Sequence, residues 1–116
     1  KIKRLLYSSN RRKDMKNINN VKSIKIDTYL ESNNLKADFV KIDVEGFELK
    51  ALKGFKKNMI NTKYIMIEHH NDNLYMGFNK DEVNKFLRKN NFELYFSLKF
   101  PLMNWEDRLY VNKTII

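Results

Sequence analysis

Lys41-Ile42-Asp43-Val44-Glu45-Gly46-Phe47-Glu48 is the stretch that decides the fold of this chain. Asp38-Phe39-Val40 leads into it, so a short β-branched run lies between polar residues, the pattern of a buried strand. The strand runs out into Asp43 and Glu45, and Gly46 lets the chain turn sharply. Beyond the glycine the apolar period lengthens. Leu49, Leu52 and Phe55 recur at i, i+3, i+6, and Phe47, Ala51 and Phe55 at i, i+4, i+8, which predicts a helix over about 46–53 with one apolar face. Gly54 suits the end of that helix, where a left-handed residue is common.

Working outward, Val21, Ile24 and Ile26 read as a strand ending at Asp27. Thr28 and Glu31 have capping-box spacing and predict a short helix closed by Asn33-Asn34. On the other side, Lys63-Tyr64-Ile65-Met66-Ile67-Glu68 reads as a second buried strand. Asn79 with Glu82 three residues on is an N-cap signature. Val83, Phe86 and Leu87 give the apolar face of a helix over about 80–90, with Arg88 and Lys89 where the dipole favours cations. Phe92, Leu94, Phe96, Leu98 and Phe100 alternate with other residues and predict a half-buried strand. A returning strand from Arg108 to Ile115, with Leu109 and Val111 inward, completes an antiparallel pair at the sheet edge. The alternation of strands and helices predicts an α/β fold on a largely parallel sheet.

Composition sets the limits. The 116 residues suffice for one domain, and 42% hydrophobic residues suffice for a core. No cysteine is present, which excludes disulfides, thiolate metal sites and a Cys nucleophile. No apolar run is long enough for a membrane span, and residues 1–20 lack the apolar core of a signal peptide, so a cytoplasmic location is expected. Of the net charge of +9, six units sit in residues 1–20, where seven Lys and Arg face Asp14 alone. That basic segment can contact nucleic acid, a phosphate or a membrane surface, or simply be solvated. The 18 Lys and 16 Asn also suggest a codon bias, and the aromatics follow core periodicity, so no specific nucleic-acid partner is expected.

In open α/β sheets ligands bind outside the carboxyl ends of the parallel strands. The two predicted buried strands end in Asp43-Val44-Glu45 and Glu68-His69-His70. Asp43 at a buried strand end needs a partner or a ligand, since an unpaired buried carboxylate costs several kcal/mol. Glu45 and Glu48 can serve there or simply charge the helix N-terminus. Lys41 can pair with a carboxylate on a neighbouring strand. Adjacent His69 and His70 point to opposite sides of an extended chain, so at most one of them faces the cleft. A metal held by Asp43, Glu68 and a histidine is a weaker reading, because His-x-His and His-x3-His spacings are missing. A Gly-x-Ser-x-Gly elbow is missing too. Trp105 reads as a turn residue or as part of an aromatic-lined substrate pocket.

The motif at 41–48, with Leu52-Lys53-Gly54 downstream, resembles the signature of the FkbM family of S-adenosylmethionine-dependent methyltransferases. Ile24 to Glu31 resembles the family's upstream segment, with Ile26 in place of the usual Leu, and Tyr64 to His70 its next strand. The resemblance covers 21–70 well and 71–116 loosely. It implies a Rossmann-like class I methyltransferase sheet, mostly parallel with an antiparallel C-terminal strand pair. It implies S-adenosylmethionine as cofactor and methyl transfer to a hydroxyl of a sugar or natural product, so a small-molecule or glycan acceptor. Asp43, Glu68 and His69 (or His70) become the candidate bases, and Asp43 and Glu45 line the cofactor side; no metal is called for. One departure stands out. The family's glycine-rich cofactor loop has no counterpart, since Gly46, Gly54 and Gly77 are the only glycines. Residues 21–116 therefore read as the C-terminal half of the domain, with 1–20 as a remnant of what precedes it, inactive alone. The alternative is a non-catalytic α/β interaction module with a basic arm. Either way an unpaired sheet edge near Val21–Ile26 invites self-association.

Overall fold

The computed structural model describes residues 22–70 and 79–116. The basic segment, Val21 and the stretch 71–78 lie outside the described residues. The elements are α1 (Ile26–Ser32), β1 (Phe39–Ile42), α2 (Glu48–Lys53), a 3-10 turn (Asn58–Asn61), β2 (Tyr64–His70), α3 (Lys80–Lys89), β3 (Phe92–Lys99) and β4 (Trp105–Asn112). The four strands form one sheet in the order β1-β2-β4-β3. β1 pairs with β2 in parallel, and β4 is antiparallel to both β2 and β3. By pairing the sheet is mixed. The last strand lies inside it rather than at the edge, because β4 turns back from β3 and fills the slot beside β2.

Cross-strand neighbours point to the same side of a sheet, so the register sorts the residues into two faces. Ile42, Ile65, Ile67 and Tyr110 point to one side, where they form a single core with Leu30 of α1, Leu52 of α2, and Val83 and Leu87 of α3. All three described helices thus pack on one face. α3 forms as its sequence predicts, with the Asn79 side chain accepting the N–H groups of Asp81 and Glu82.

Several local expectations are corrected. Lys22 to Lys25 carries no strand, and a helix already begins at Ile26. The capping box is unused, since Glu31 pairs with Lys57 at 3.0 Å and Lys25 occupies the cap position. Gly54 ends α2 in the right-handed region (φ −79°), so its left-handed freedom is not what places it there. β1 is not buried along its length. Phe39 and Lys41 are exposed and only Ile42 is buried, because β1 has one strand neighbour among the described residues and no described helix covers its second side. It is also the outer strand at that end of the described sheet, in place of the expected Val21–Ile26. β3 buries Phe92 alone. A bulge between Leu94 and Phe96 sets Leu94 opposite Tyr110 but Phe96 opposite Leu109, which sends the apolar residues to different faces of an outer strand. In β4 it is Tyr110, not Leu109, that enters the helix-covered core.

Asp27 ties α1 to the loop after α2. Its carboxylate accepts the N–H groups of Lys57 and Asn58 and the Asn58 side-chain amide, each at 2.9 Å. Burial pushes the carboxyl up, but these hydrogen bonds and the Lys57 charge outweigh it and lower the pKa below 3.8. A lowered carboxylate stabilises the fold above its unfolded pKa, and that stability is lost as pH falls through the folded value. Asp27→Asn is therefore expected to lower stability by roughly 1–2 kcal/mol near neutral pH. In urea unfolding the gap between variant and parent narrows once the pH drops below about 4.

Candidate active site

The site grows from the end of β1. After Ile42 the chain enters a turn in which the Phe47 N–H donates to the Val44 carbonyl, and both central residues, Glu45 (φ 53°) and Gly46 (φ 101°), are left-handed. That is the φ pattern of a type I′ turn, for which glycine is the natural second residue. Glu48 locks it. The Glu48 side chain is buried, and its Oε1 accepts the N–H of Gly46 at 3.1 Å and of Val44 at 3.4 Å. The Glu48 carboxylate is thus consumed inside the turn, whereas the side chains of Asp43 and Glu45 are exposed. Asp43 does not sit in the buried position expected of it, because β1 lies at the outside of the described sheet.

β2 separates the two histidines. His69 points into the helix-covered side, fully buried, with Nε2 at 3.1 Å from the Tyr110 hydroxyl, which itself donates to Asn84 Oδ1. Burial, then the charges of Arg108, Lys80 and His70, push its pKa down to about 3. His70 points to the other side, where Nε2 lies 2.8 Å from Glu68 Oε1. Of the two, His70 is the one beside Glu68 and on the side of Asp43.

On that side the strands bring together a mixed cluster. Lys41 Nζ lies 3.9 Å from Asp43 and 3.7 Å from Asp107 of β4, reaching across β2 to do so. The pairing foreseen for Lys41 thus exists, but two strands away. The register sets Asp107 opposite Glu68, and Trp105 opposite His70. Burial, then the Asp43 charge, raises the Glu68 pKa; His70 pulls it back, and Asp107 adds to the rise. Trp105 opens β4 rather than forming a turn, and its ring lies 4.6 Å from that of Phe100. Asp107 was not legible as a site residue, since Trp105-Glu106-Asp107 reads as a polar connection. Its only signal is two-residue alternation with Trp105. Glu106 points the other way, buried and paired with Arg108. Among the described residues no group of three His, Asp or Glu side chains is placed to hold a metal ion, and no helix is long and apolar enough to cross a membrane.

Comparison with known proteins agrees with the motif. The model of the methyltransferase FkbM domain matches residues 5–94, and the chain belongs to that family. The match takes in most of the basic segment and stops within β3, so β4 lies beyond it. No curated protein and no solved structure gives a significant match.

Two outcomes follow from this geometry. Gly46→Ala puts a Cβ on a left-handed residue and is expected to lower stability by roughly 1–2 kcal/mol, read by thermal or urea unfolding. Glu68 has a raised pKa, so its contribution to stability is full below about 4.5 and is lost as pH rises through the folded value. Glu68→Gln should therefore gain on the parent protein in unfolding free energy between pH 4 and 8, and a gap that stays flat across that range would contradict the assignment.

Proposed function

We propose that this chain forms the acceptor-side part of an S-adenosylmethionine-dependent methyltransferase that acts on a hydroxyl of a sugar or natural product. Family membership supports methyl transfer. The observation that carries the rest is the His70–Glu68 pair, set beside Asp43 at the carboxyl ends of two parallel strands.

The residues suit one part of the cofactor. Asp43 and Glu45, exposed beside the turn, can face a sulfonium, an amine or ribose hydroxyls. The turn offers no anion cradle, because the Val44 and Gly46 amides are already engaged by Glu48. When bound, adenosylmethionine supplies an electrophilic methyl group. The chain's own task is to position the acceptor and remove its proton. Glu68 holds Nε2 of His70 and fixes the ring, and the imidazole serves as the base for the acceptor's proton. Glu68 then stabilises the imidazolium. His69, with its pKa near 3 and its place in the core, is suited to packing.

The test is adenosylmethionine binding by calorimetry on this chain and on the longest chain its reading frame encodes, followed by turnover. His70→Gln should lower kcat by about 10²–10⁴-fold with the cofactor affinity retained. His69→Gln should act on stability instead. An absence of binding by both chains would put the non-catalytic interaction module in front.

A further inference from the structure

We infer that Trp105, Phe100 and Asp107 form a subsite for a neutral, polyhydroxylated ring, beside the His70–Glu68 pair; this rests on the proposed function and names its acceptor class. Three observations carry it. First, Trp105 and Asp107 are two apart on β4 and lie opposite His70 and Glu68, so all four point to the same side of the sheet. Second, the indole is not absorbed in the helix-packed core. It pairs with Phe100 at a tilt of 43°, and the Phe100 ring is itself partly exposed. Two rings held together next to polar groups offer an apolar platform at the edge of a hydrogen-bonding row. Third, Asp107 Oδ1 is buried and accepts no hydrogen bond among the described residues. Its nearest cation, Lys41 Nζ, stands off at 3.7 Å, beyond hydrogen-bond reach. A buried carboxylate oxygen in that state is stabilised by a hydroxyl donor.

The charges select among ligands. Lys41 lies between Asp43 and Asp107, and His70 is paired with Glu68, so the row meets most of its own charge. A cation gains little from carboxylates already partnered. An anion meets the three carboxylates of Asp43, Glu68 and Asp107 against one lysine. A neutral ring can lay its C–H face on the aromatic pair and give its hydroxyl protons to Asp107 and Glu68.

Trp105 is the only tryptophan of the chain, so its emission reports the subsite directly. The experiment titrates this chain with methyl glycosides of hexoses and 6-deoxyhexoses and with inositol, and, as charged comparators, with choline and glycerol phosphate. Saturable change with at least one neutral ring in the millimolar range is expected, about tenfold weaker in Asp107→Asn. Lys41 is exposed, so Lys41→Met serves as a second variant that leaves the core untouched. It should raise the response to choline by releasing two carboxylates. Emission that no neutral ring moves, an equal response in Asp107→Asn, or choline or glycerol phosphate as the sole responder would overturn the subsite. The readout needs no methyl transfer. Ring binding without adenosylmethionine binding keeps the subsite and removes the enzyme reading; cofactor binding with silent Trp105 emission does the reverse.

Discussion

The structure depends on the strict alternation of β2. This seven-residue strand is hydrogen-bonded on both sides, to β1 and to β4, so it has no freedom to slip. A shift by one residue would exchange its two faces. The alternation sends Ile65, Ile67 and His69 into the helix-covered core and Met66, Glu68 and His70 to the other side. The chemistry and the packing of the molecule are therefore divided by one register. His69 and His70 are neighbours in sequence, yet one sits with Tyr110 and Asn84 in the core and the other with Glu68 beside Asp43.

The second constraint is the turn after β1. Glu45 is a non-glycine residue in the left-handed region, which is costly without compensation, whereas Gly46 adopts its positive φ freely. Here the compensation is a buried carboxylate from the next helix, which gathers two amides of the turn. Glu48 is thereby consumed by structure, and Asp43 and Glu45 are left facing outward. That division of labour among three closely spaced acids limits what the turn can bind. Two exposed carboxylates there favour cationic or hydroxylated groups over anionic ones.

Much of the local structure was legible. α3 follows from Asn79, Glu82 and the spacing of Val83, Phe86 and Leu87, because cap and periodicity are both local signals. The motif at 41–48 also signalled its own strand, turn and helix, since Gly46 marks the place where a left-handed residue is needed. At α1, distant partners overrode the local reading. Glu31 was drawn from its capping role by Lys57. Asp27 was drawn into the loop at 57–58, and α1 began earlier than the spacing implied. Gly54 was read from its freedom, but nothing in its surroundings required that freedom.

The sequence by itself determined that this is an α/β chain of the FkbM kind, with carboxylates and histidines at strand ends. Periodicity, glycine position and motif are properties of adjacent residues. Only the tertiary structure decided which histidine joins the cluster, that β4 lies inside the sheet, and that Lys41 reaches Asp107 from two strands away. Such pairings depend on strand order and register, which are fixed by burial of the sheet against its helices. No spacing within 116 residues encodes them locally.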